Sequence, residues 1–387
     1  MPAKTWKLFE NNDGLIVDKL ITSKDLGGDG KWSVEKVTLR DGLSEGVQKV
    51  GIQNGKMFLE VLPTRGMGIW KAHAAGETIG WQSPVRGPVH PKFVDLGEPS
   101  GLGWLDGFDE LLCRCGLVSN GAPDFDKETG RLKYPVHGRI ANRPAHAVEL
   151  TVDSDKQEIS LKGIVEETRF HFTKLRMTST ITTKFNSTAF TVHDEIENFS
   201  ASPAEIQMLY HVNFGLPLLD AGSRVVVPAK TVVPRNARAA SGIKTWDSYA
   251  APEPAWEEMV YFLELNADDA GQTRTLLKNA HGTRGVSLVF SKQQLPWFSL
   301  WKNTTAAADG YVTGLEPGTN FPNPRTYEGE QGRVVKLAPG GKQLFDITLE
   351  IHTTAAEVKA AETAVAKIQA GKEPKIFTEP QPGWCAP

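Results

Sequence analysis

The chain has 387 residues, of which 40% are apolar and 23% are charged, and its formal net charge at pH 7 is −3. This balance supplies enough apolar material for a large core and excludes a disordered chain, and the lack of a basic excess argues against a nucleic-acid partner. Glycine (37), proline (24) and tryptophan (10) are frequent, which indicates a turn-rich protein with many aromatic surfaces.

Alternation of apolar and polar residues predicts β-strands through most of the chain. Strands are expected at 57–61, 286–290 and 343–351, and the segment 178–192 is expected to form a hairpin that turns at Asn186. In 57–61 and 343–351 every second residue is apolar, so one face of each strand is predicted to be buried, whereas 178–192 is predicted from its many Thr, Ile, Phe and Val residues.

Helical periodicity appears only near the C-terminus. The apolar residues from Val358 to Ile368 recur at helical spacing, and Gly371 is placed to end that helix. The proline-rich segment 372–387 is expected to run extended over the surface.

No linker divides the chain between about residues 30 and 355, so a single all-β unit is expected. Two large antiparallel sheets packed face to face, a β-sandwich, would cover the apolar faces of so many strands. We predict an N-terminal extension (1–29) that joins the fold, the β-sandwich (30–355), and a C-terminal helix with an extended tail (356–387).

The cysteines and the N-terminal sequence predict a cytoplasmic location. Cys113, Cys115 and Cys385 cannot form an even disulfide framework, and the spacing of the first two is poor for zinc. The N-terminal sequence lacks the apolar segment of a signal peptide, and no run approaches the ~18 apolar residues of a membrane span. We expect no cofactor, no metal site, and neither a membrane nor a nucleic-acid partner.

Three segments combine titratable side chains with glycine and proline, as binding loops often do. In 134–144, His137 and Arg139 offer an imidazole and a guanidinium to one ligand, although the arginine is equally compatible with surface ion pairs. In 209–215, His211 is either a site residue or a hydrogen-bonded core histidine. In 314–322, the carboxylate of Glu316 is fixed by the following proline and suits a general base, unless it only caps a turn.

Taken in order, these segments resemble the galactose mutarotase-like superfamily, which includes aldose 1-epimerases and hexose-6-phosphate mutarotases. The residues that carry the resemblance are 137–139, 210–214 and 315–317. The chain is most similar to a branch described only as a domain of unknown function (DUF4432-like), through the segments 62–69, 104–109 and 115–123.

The resemblance implies a mutarotase, an isomerase that interconverts the anomers of an aldose within a large β-sandwich. It implies His211 as the general acid and Glu316 as the general base. It also implies a set of sugar-binding residues, namely His137 and Arg139, with Arg65, Asp109, Asn120 and Trp301 as further ligands or stacking surfaces.

The residues leave several alternatives open. In the related proteins a similar Gly-Arg-x-Ala-Asn-Arg turn precedes the His-Gly segment, whereas here it follows His137, so two alignments of 137–143 are possible. The arginines also allow an acidic sugar such as a uronate or a sugar phosphate. A lyase, epimerase or isomerase that removes a proton next to a carbonyl, and a non-catalytic carbohydrate-binding protein, remain alternative functions. A metal held by His137, His211 and a carboxylate is a further, weaker alternative.

Overall fold

The computed structural model describes residues 3–10, 18–26 and 30–387, and these residues form 25 β-strands and three α-helices. The strands are β1 (Lys4–Glu10), β2 (Lys19–Thr22), β3 (Ser33–Thr38), β4 (Gln48–Gln53), β5 (Met57–Leu62), β6 (Gly68–Ala74), β7 (Glu77–Ile79), β8 (Leu112–Leu117), β9 (Asp124–Phe125), β10 (Leu132–Tyr134), β11 (Ala147–Asp153), β12 (Glu158–Thr168), β13 (Lys174–Lys184), β14 (Ala189–Asn198), β15 (Ala204–Gly215), β16 (Arg224–Val226), β17 (Ala229–Pro234), β18 (Met259–Leu265), β19 (Gln272–Lys278), β20 (Gly285–Ser291), β21 (Trp297–Asn303), β22 (Val312–Gly318), β23 (Val335–Leu337), β24 (Lys342–His352) and β25 (Lys375–Ile376). The α-helices are α1 (Ala237–Ser241), α2 (Arg325–Glu330) and α3 (Ala355–Gln369).

Two large sheets contain nearly all of these strands. The first sheet has nine strands in the order β1-β11-β12-β13-β14-β24-β20-β19-β16. The second has fourteen, in the order β2-β3-β4-β5-β6-β8-β15-β22-β21-β18-β17-β25, with β7 paired to β6 and β23 to β15. Neighbouring strands are antiparallel except for β17 and β25. The fold is therefore an antiparallel β-sandwich, as predicted.

The predicted strands occur at β5, β20 and β24, and the predicted hairpin is formed by β13 and β14. Asn186 in the hairpin turn has a φ of 56°, a left-handed conformation that asparagine tolerates better than most residues. Along β13, Leu175, Met177 and Ile181 are buried against the facing sheet. Every second side chain of these strands is thus buried, and the buried faces of the two sheets form a shared core.

Strand β15 carries His211 and so determines where the candidate site lies. It lies in the middle of the second sheet between β8 and β22, and all but one of its residues are buried. Tyr210 points between the sheets, where its hydroxyl donates a hydrogen bond to Asp194 of the first sheet (2.7 Å). Because successive side chains alternate, the neighbouring His211 points to the opposite, outer face of the second sheet.

Helix α3 confirms the predicted C-terminal helix. Thr354 and Glu357 form a capping box at its start, and Val358, Ala361 and Val365 pack on Leu276 of β19. The helix ends one residue earlier than the glycine signal indicates, because Ala370 already adopts a left-handed conformation with a φ of 50°. None of the helices in the described part of the chain has the length and apolar character needed to cross a lipid bilayer.

The C-terminal tail packs against the sandwich, whereas the sequence predicted an extended segment on the surface. Its strand β25 pairs with β17, and the ring of Trp384 stacks on Phe321 with 5.0 Å between ring centroids. The backbone oxygen of Trp384 accepts a hydrogen bond from the side chain of Asn323 (2.8 Å). The tail thereby supports the loop that follows β22.

Candidate active site

A cavity of about 230 Å³ lies on the outer face of the second sheet. Its floor contains His211 of β15 and Glu316 of β22, and its walls include His137 and the rings of Trp104, Phe108 and Trp301. We call it the His211 cavity. The sequence predicted four of these six residues as site residues; Trp104 and Phe108 lie in a segment that carried the family resemblance but were not assigned a role.

The ring of His211 is fixed by its neighbour on the same face of β15. Its Nδ1 lies 2.5 Å from Oδ1 of Asn213, and the Asn213 amide nitrogen donates to the backbone oxygen of Glu110 (3.0 Å). Since the amide oxygen can only accept, Nδ1 of His211 carries the hydrogen. In the neutral ring Nε2 is therefore the basic atom, and it faces the cavity floor.

Glu316 lies directly opposite this nitrogen. Its Oε1 is 3.2 Å from Nε2 of His211, and the two residues are only 2% and 4% exposed. The two atoms are not aligned as a hydrogen bond, and Oε1 has no hydrogen-bond partner within the described residues. A buried carboxyl oxygen without a partner is costly, so it is well placed to bond a ligand group.

Burial shifts both groups toward their neutral forms. It lowers the pKa of His211 to about 3, with a smaller contribution from the nearby His137 and an opposing one from the Asn213 hydrogen bond. It raises the pKa of Glu316 well above its ordinary value, and the charge of Glu258 acts in the same direction. In these neutral forms Nε2 of His211 is unprotonated, and the single ionisable proton of the pair resides on the carboxyl group of Glu316.

His137 reaches the cavity through an unusual backbone turn. His137 and Gly138 both adopt left-handed conformations, with φ values of 55° and 72°, and a Cβ on Gly138 would lie 2.0 Å from the backbone oxygen of Ser119. Nδ1 of His137 donates to the backbone oxygen of Asn120 (2.9 Å), and the ring centroid lies 5.3 Å from that of His211. The turn thus holds a second imidazole over the catalytic candidates, and burial lowers its pKa.

Two charged residues at the mouth of the cavity, Arg235 and Glu258, were not predicted from the sequence. Glu258 accepts a hydrogen bond from Nε1 of Trp301 (2.7 Å) and lies 3.4 Å from a guanidinium nitrogen of Arg235. Both charged residues line the cavity. Neither lies in a recognisable motif, because each reaches the mouth from a strand end that is distant in sequence from the other site segments.

Two of the predicted ligands are buried beside the cavity and do not line it. Each of the three nitrogens of the Arg65 guanidinium faces an acceptor: the side chain pairs with Glu110, bonds Asn142 (3.0 Å), and donates to the carbonyls of Val89 and Gly107. The side chain of Asn120 bonds Asn320 (2.9 Å), and only its backbone oxygen acts on the site, through His137. This differs from the prediction that both residues contact a sugar.

Asp109 and Arg139 line other cavities. Asp109 accepts a hydrogen bond from Nε1 of Trp70 (2.6 Å), lies 3.6 Å from Lys71, and faces a separate cavity of about 340 Å³. Arg139 lines a larger cavity of about 570 Å³, although it is only two residues from His137. The residues that the sequence assigned to one sugar site therefore line three separate cavities or are buried between them.

Within the residues that the structure describes, no group of three or more His, Cys, Asp or Glu side chains is arranged to hold a metal ion.

Residues 44–351 match the family model described as "Domain of unknown function (DUF4432)". The chain belongs to this family. A solved structure of another protein, a candidate aldose 1-epimerase from Klebsiella pneumoniae, is 36% identical to this DUF4432 protein, with 98% of this chain and 99% of that chain covered and a TM-score of 0.93.

More distant solved structures share the fold of this DUF4432 protein. A galactose mutarotase-like protein from Clostridium acetobutylicum is 14% identical, covers 83% of this chain and 98% of its own, and has a TM-score of 0.57. A galactose 1-epimerase from Lactobacillus acidophilus is 13% identical, covers 84% and 100%, and has a TM-score of 0.54. The fold is therefore galactose mutarotase-like. A search among curated proteins found no match.

Proposed function

We propose that this protein is an aldose 1-epimerase-like mutarotase that uses His211 as general acid and Glu316 as general base. The distance of 3.2 Å between Nε2 of His211 and Oε1 of Glu316 carries the proposal. Mutarotation moves protons at the anomeric hydroxyl and the ring oxygen, and both oxygens are bonded to the same carbon. An acid and a base that serve both atoms must therefore lie close together, as these two do.

The reaction needs only the single proton that the pair holds. Transfer of this proton from Glu316 to Nε2 of His211 gives the carboxylate and the imidazolium. The carboxylate then takes the proton of the anomeric hydroxyl, the bond between the anomeric carbon and the ring oxygen breaks, and His211 protonates that oxygen. Rotation about the next carbon–carbon bond and the reverse transfers close the ring on the other face.

The walls of the His211 cavity suit a sugar. Trp301, which is only half-buried, offers ring surface to the apolar C–H groups of a pyranose, Trp104 and Phe108 complete the apolar wall, and His137 and Glu258 offer polar atoms for its hydroxyls. The buried floor excludes bulk water, which strengthens the electrostatic interactions that stabilise developing charge. The 36% identical relative is itself a candidate aldose 1-epimerase, which supports the same reaction class.

The test is the rate of anomer exchange across a panel of aldoses, measured by NMR saturation transfer between the α and β signals. We expect acceleration by the intact protein and a loss of at least about 10²-fold in His211→Ala and Glu316→Gln. His193→Gln is a matched control, because His193 pairs with Asp346 on the surface of the first sheet. No acceleration with any aldose would refute the proposal.

Two further measurements separate this function from the alternatives. Incorporation of solvent deuterium at a sugar carbon would indicate proton abstraction next to a carbonyl, because mutarotation exchanges only hydroxyl protons. Saturable sugar binding that persists in Glu316→Gln, with no anomer exchange in the intact protein, would indicate a carbohydrate-binding protein.

A further inference from the structure

A second, larger cavity of about 570 Å³ lies across the segment 136–139 from the His211 cavity. His137 lines the first cavity, whereas Gly138 and Arg139 line the second. We call it the arginine cavity, because its lining includes five cationic side chains: Lys133, Arg139, Arg143, Arg169 and Arg325.

Its two carboxylates balance only part of this charge. Glu205 pairs with Arg325 (2.9 Å). Glu167 is buried, accepts a hydrogen bond from the backbone nitrogen of Leu117 (2.8 Å), and burial raises its pKa to about 7 against the opposing charges of Arg139 and Arg143. Glu167 is therefore only partly ionised at neutral pH, and the cavity keeps a positive excess.

Two of the arginines have unused donor groups. Within the described residues, the side chains of Arg139 and Arg143 make neither a hydrogen bond nor an ion pair within 4.0 Å, and both interact electrostatically with Glu167 at longer range. Both are half-buried, so their guanidinium groups have lost part of their hydration. Groups of this kind bind oxyanions well, because the planar fork donates two parallel hydrogen bonds.

Arg325 provides the strongest indication of a missing acceptor. It begins helix α2, is only 9% exposed, and its guanidinium carbon lies 5.6 Å from the ring centroid of Tyr134. Its Nε is buried and has no hydrogen-bond partner within the described residues. Buried donors in folded proteins are nearly always satisfied, so this donor without an acceptor, on a residue that lines the arginine cavity, fits a site that binds an anion.

We propose that the arginine cavity binds the oxyanion group, a phosphate or a carboxylate, of a small metabolite. Arg139, Arg143 and Arg325 bind the oxyanion, and the rings of Tyr134 and Phe172 on the cavity wall pack against the rest of the molecule. The site is separate from the His211 cavity and does not depend on the mutarotase proposal.

Isothermal titration calorimetry of the full chain tests this site. Inorganic phosphate, glucose 6-phosphate, glucuronate and succinate are the probes, and glucose is the neutral comparison. We expect one anion to bind per chain, with affinity that falls as salt rises. Binding of the two phosphates alone identifies a phosphate site, and binding of the carboxylates alone identifies a carboxylate site. Failure of all four at millimolar concentration would overturn the proposal.

Variants locate the bound anion. Arg143→Gln is expected to weaken binding at least about ten-fold, whereas Arg235→Gln, which alters an arginine of the His211 cavity, leaves it unchanged. Binding must also survive in His211→Ala, so a failed mutarotase assay and a failed anion site remain distinguishable. If Arg235→Gln abolishes binding and Arg143→Gln does not, the anion binds in the His211 cavity and the proposal is wrong.

Discussion

Arg114 of β8 and Asp194 of β14 form an ion pair that crosses between the two sheets directly behind His211. The two side chains are fully buried, with Nε of Arg114 2.5 Å and Nη2 3.0 Å from the Asp194 oxygens. Asp194 also accepts a hydrogen bond from the hydroxyl group of Tyr210, the residue that precedes His211. The strand that carries His211 is thus joined to the opposite sheet by charge-assisted hydrogen bonds, which limit its movement.

Replacing Asp194 with asparagine is expected to lower the free energy of unfolding by about 3–5 kcal/mol, because a buried arginine would lose its counter-charge. Urea denaturation followed by tryptophan fluorescence measures the change. Asp247→Asn is the control, since Asp247 pairs with Arg224 on the surface, and its cost is expected to be below about 1 kcal/mol. Equal losses in the two variants would contradict this role for the buried pair.

The pH dependence of anomer exchange reports the protonation of the His211–Glu316 pair. Burial lowers the pKa of His211 to about 3 and raises that of Glu316, so His211 stays neutral through the ordinary histidine range and the carboxyl group of Glu316 sets the alkaline limit. We expect kcat/KM to show no rise near pH 6.5 from deprotonation of His211, and to fall on the alkaline side, when the pair loses its proton. An acid limb with an apparent pKa near 6.5 would contradict this.

Asn213 acts on the reaction through His211 as a positioning residue. Asn213→Leu removes the acceptor for the Nδ1 hydrogen, so the ring can rotate or change tautomer, and we expect a loss in kcat of about 10²-fold with little change in KM. Asn213→Asp keeps an acceptor oxygen and is expected to retain more activity than the leucine variant. An equal loss of kcat in the two variants, with lowered thermal stability, would indicate that Asn213 has a structural role only.

Glu167 gives the stability of the protein a pH dependence of defined sign. Its pKa is raised to about 7 in the folded state, so the folded chain keeps a proton that the unfolded chain releases near 4.5. The free energy of unfolding must therefore fall as pH rises from 4.5 to 7, by up to about 3 kcal/mol from this residue. In Glu167→Gln this decrease is expected to disappear, as measured by urea denaturation at pH 5 and pH 8. An unchanged pH dependence would refute the assignment.

The sequence by itself determined several of the strands and the terminal helix, and its resemblance to a family named His211 and Glu316 as candidate acid and base. Strand periodicity is a local property: residues such as Phe345 and Ile347 show their burial through their spacing alone. The family resemblance also assigned His137 to the site, because that motif is contiguous in sequence. These predictions needed no knowledge of which strands become neighbours.

Only the tertiary structure decided which side chains share a cavity. Arg139 follows His137 by two residues, yet the left-handed turn at His137 and Gly138 sends them into different cavities. Arg235 and Glu258 meet at the mouth of the His211 cavity because strand order brings distant segments together. Arg65 has the residue type of a ligand, but it is buried and each of its guanidinium nitrogens already bonds the protein itself. Cavity membership depends on strand order and on competing hydrogen bonds, and neither is encoded in a local pattern.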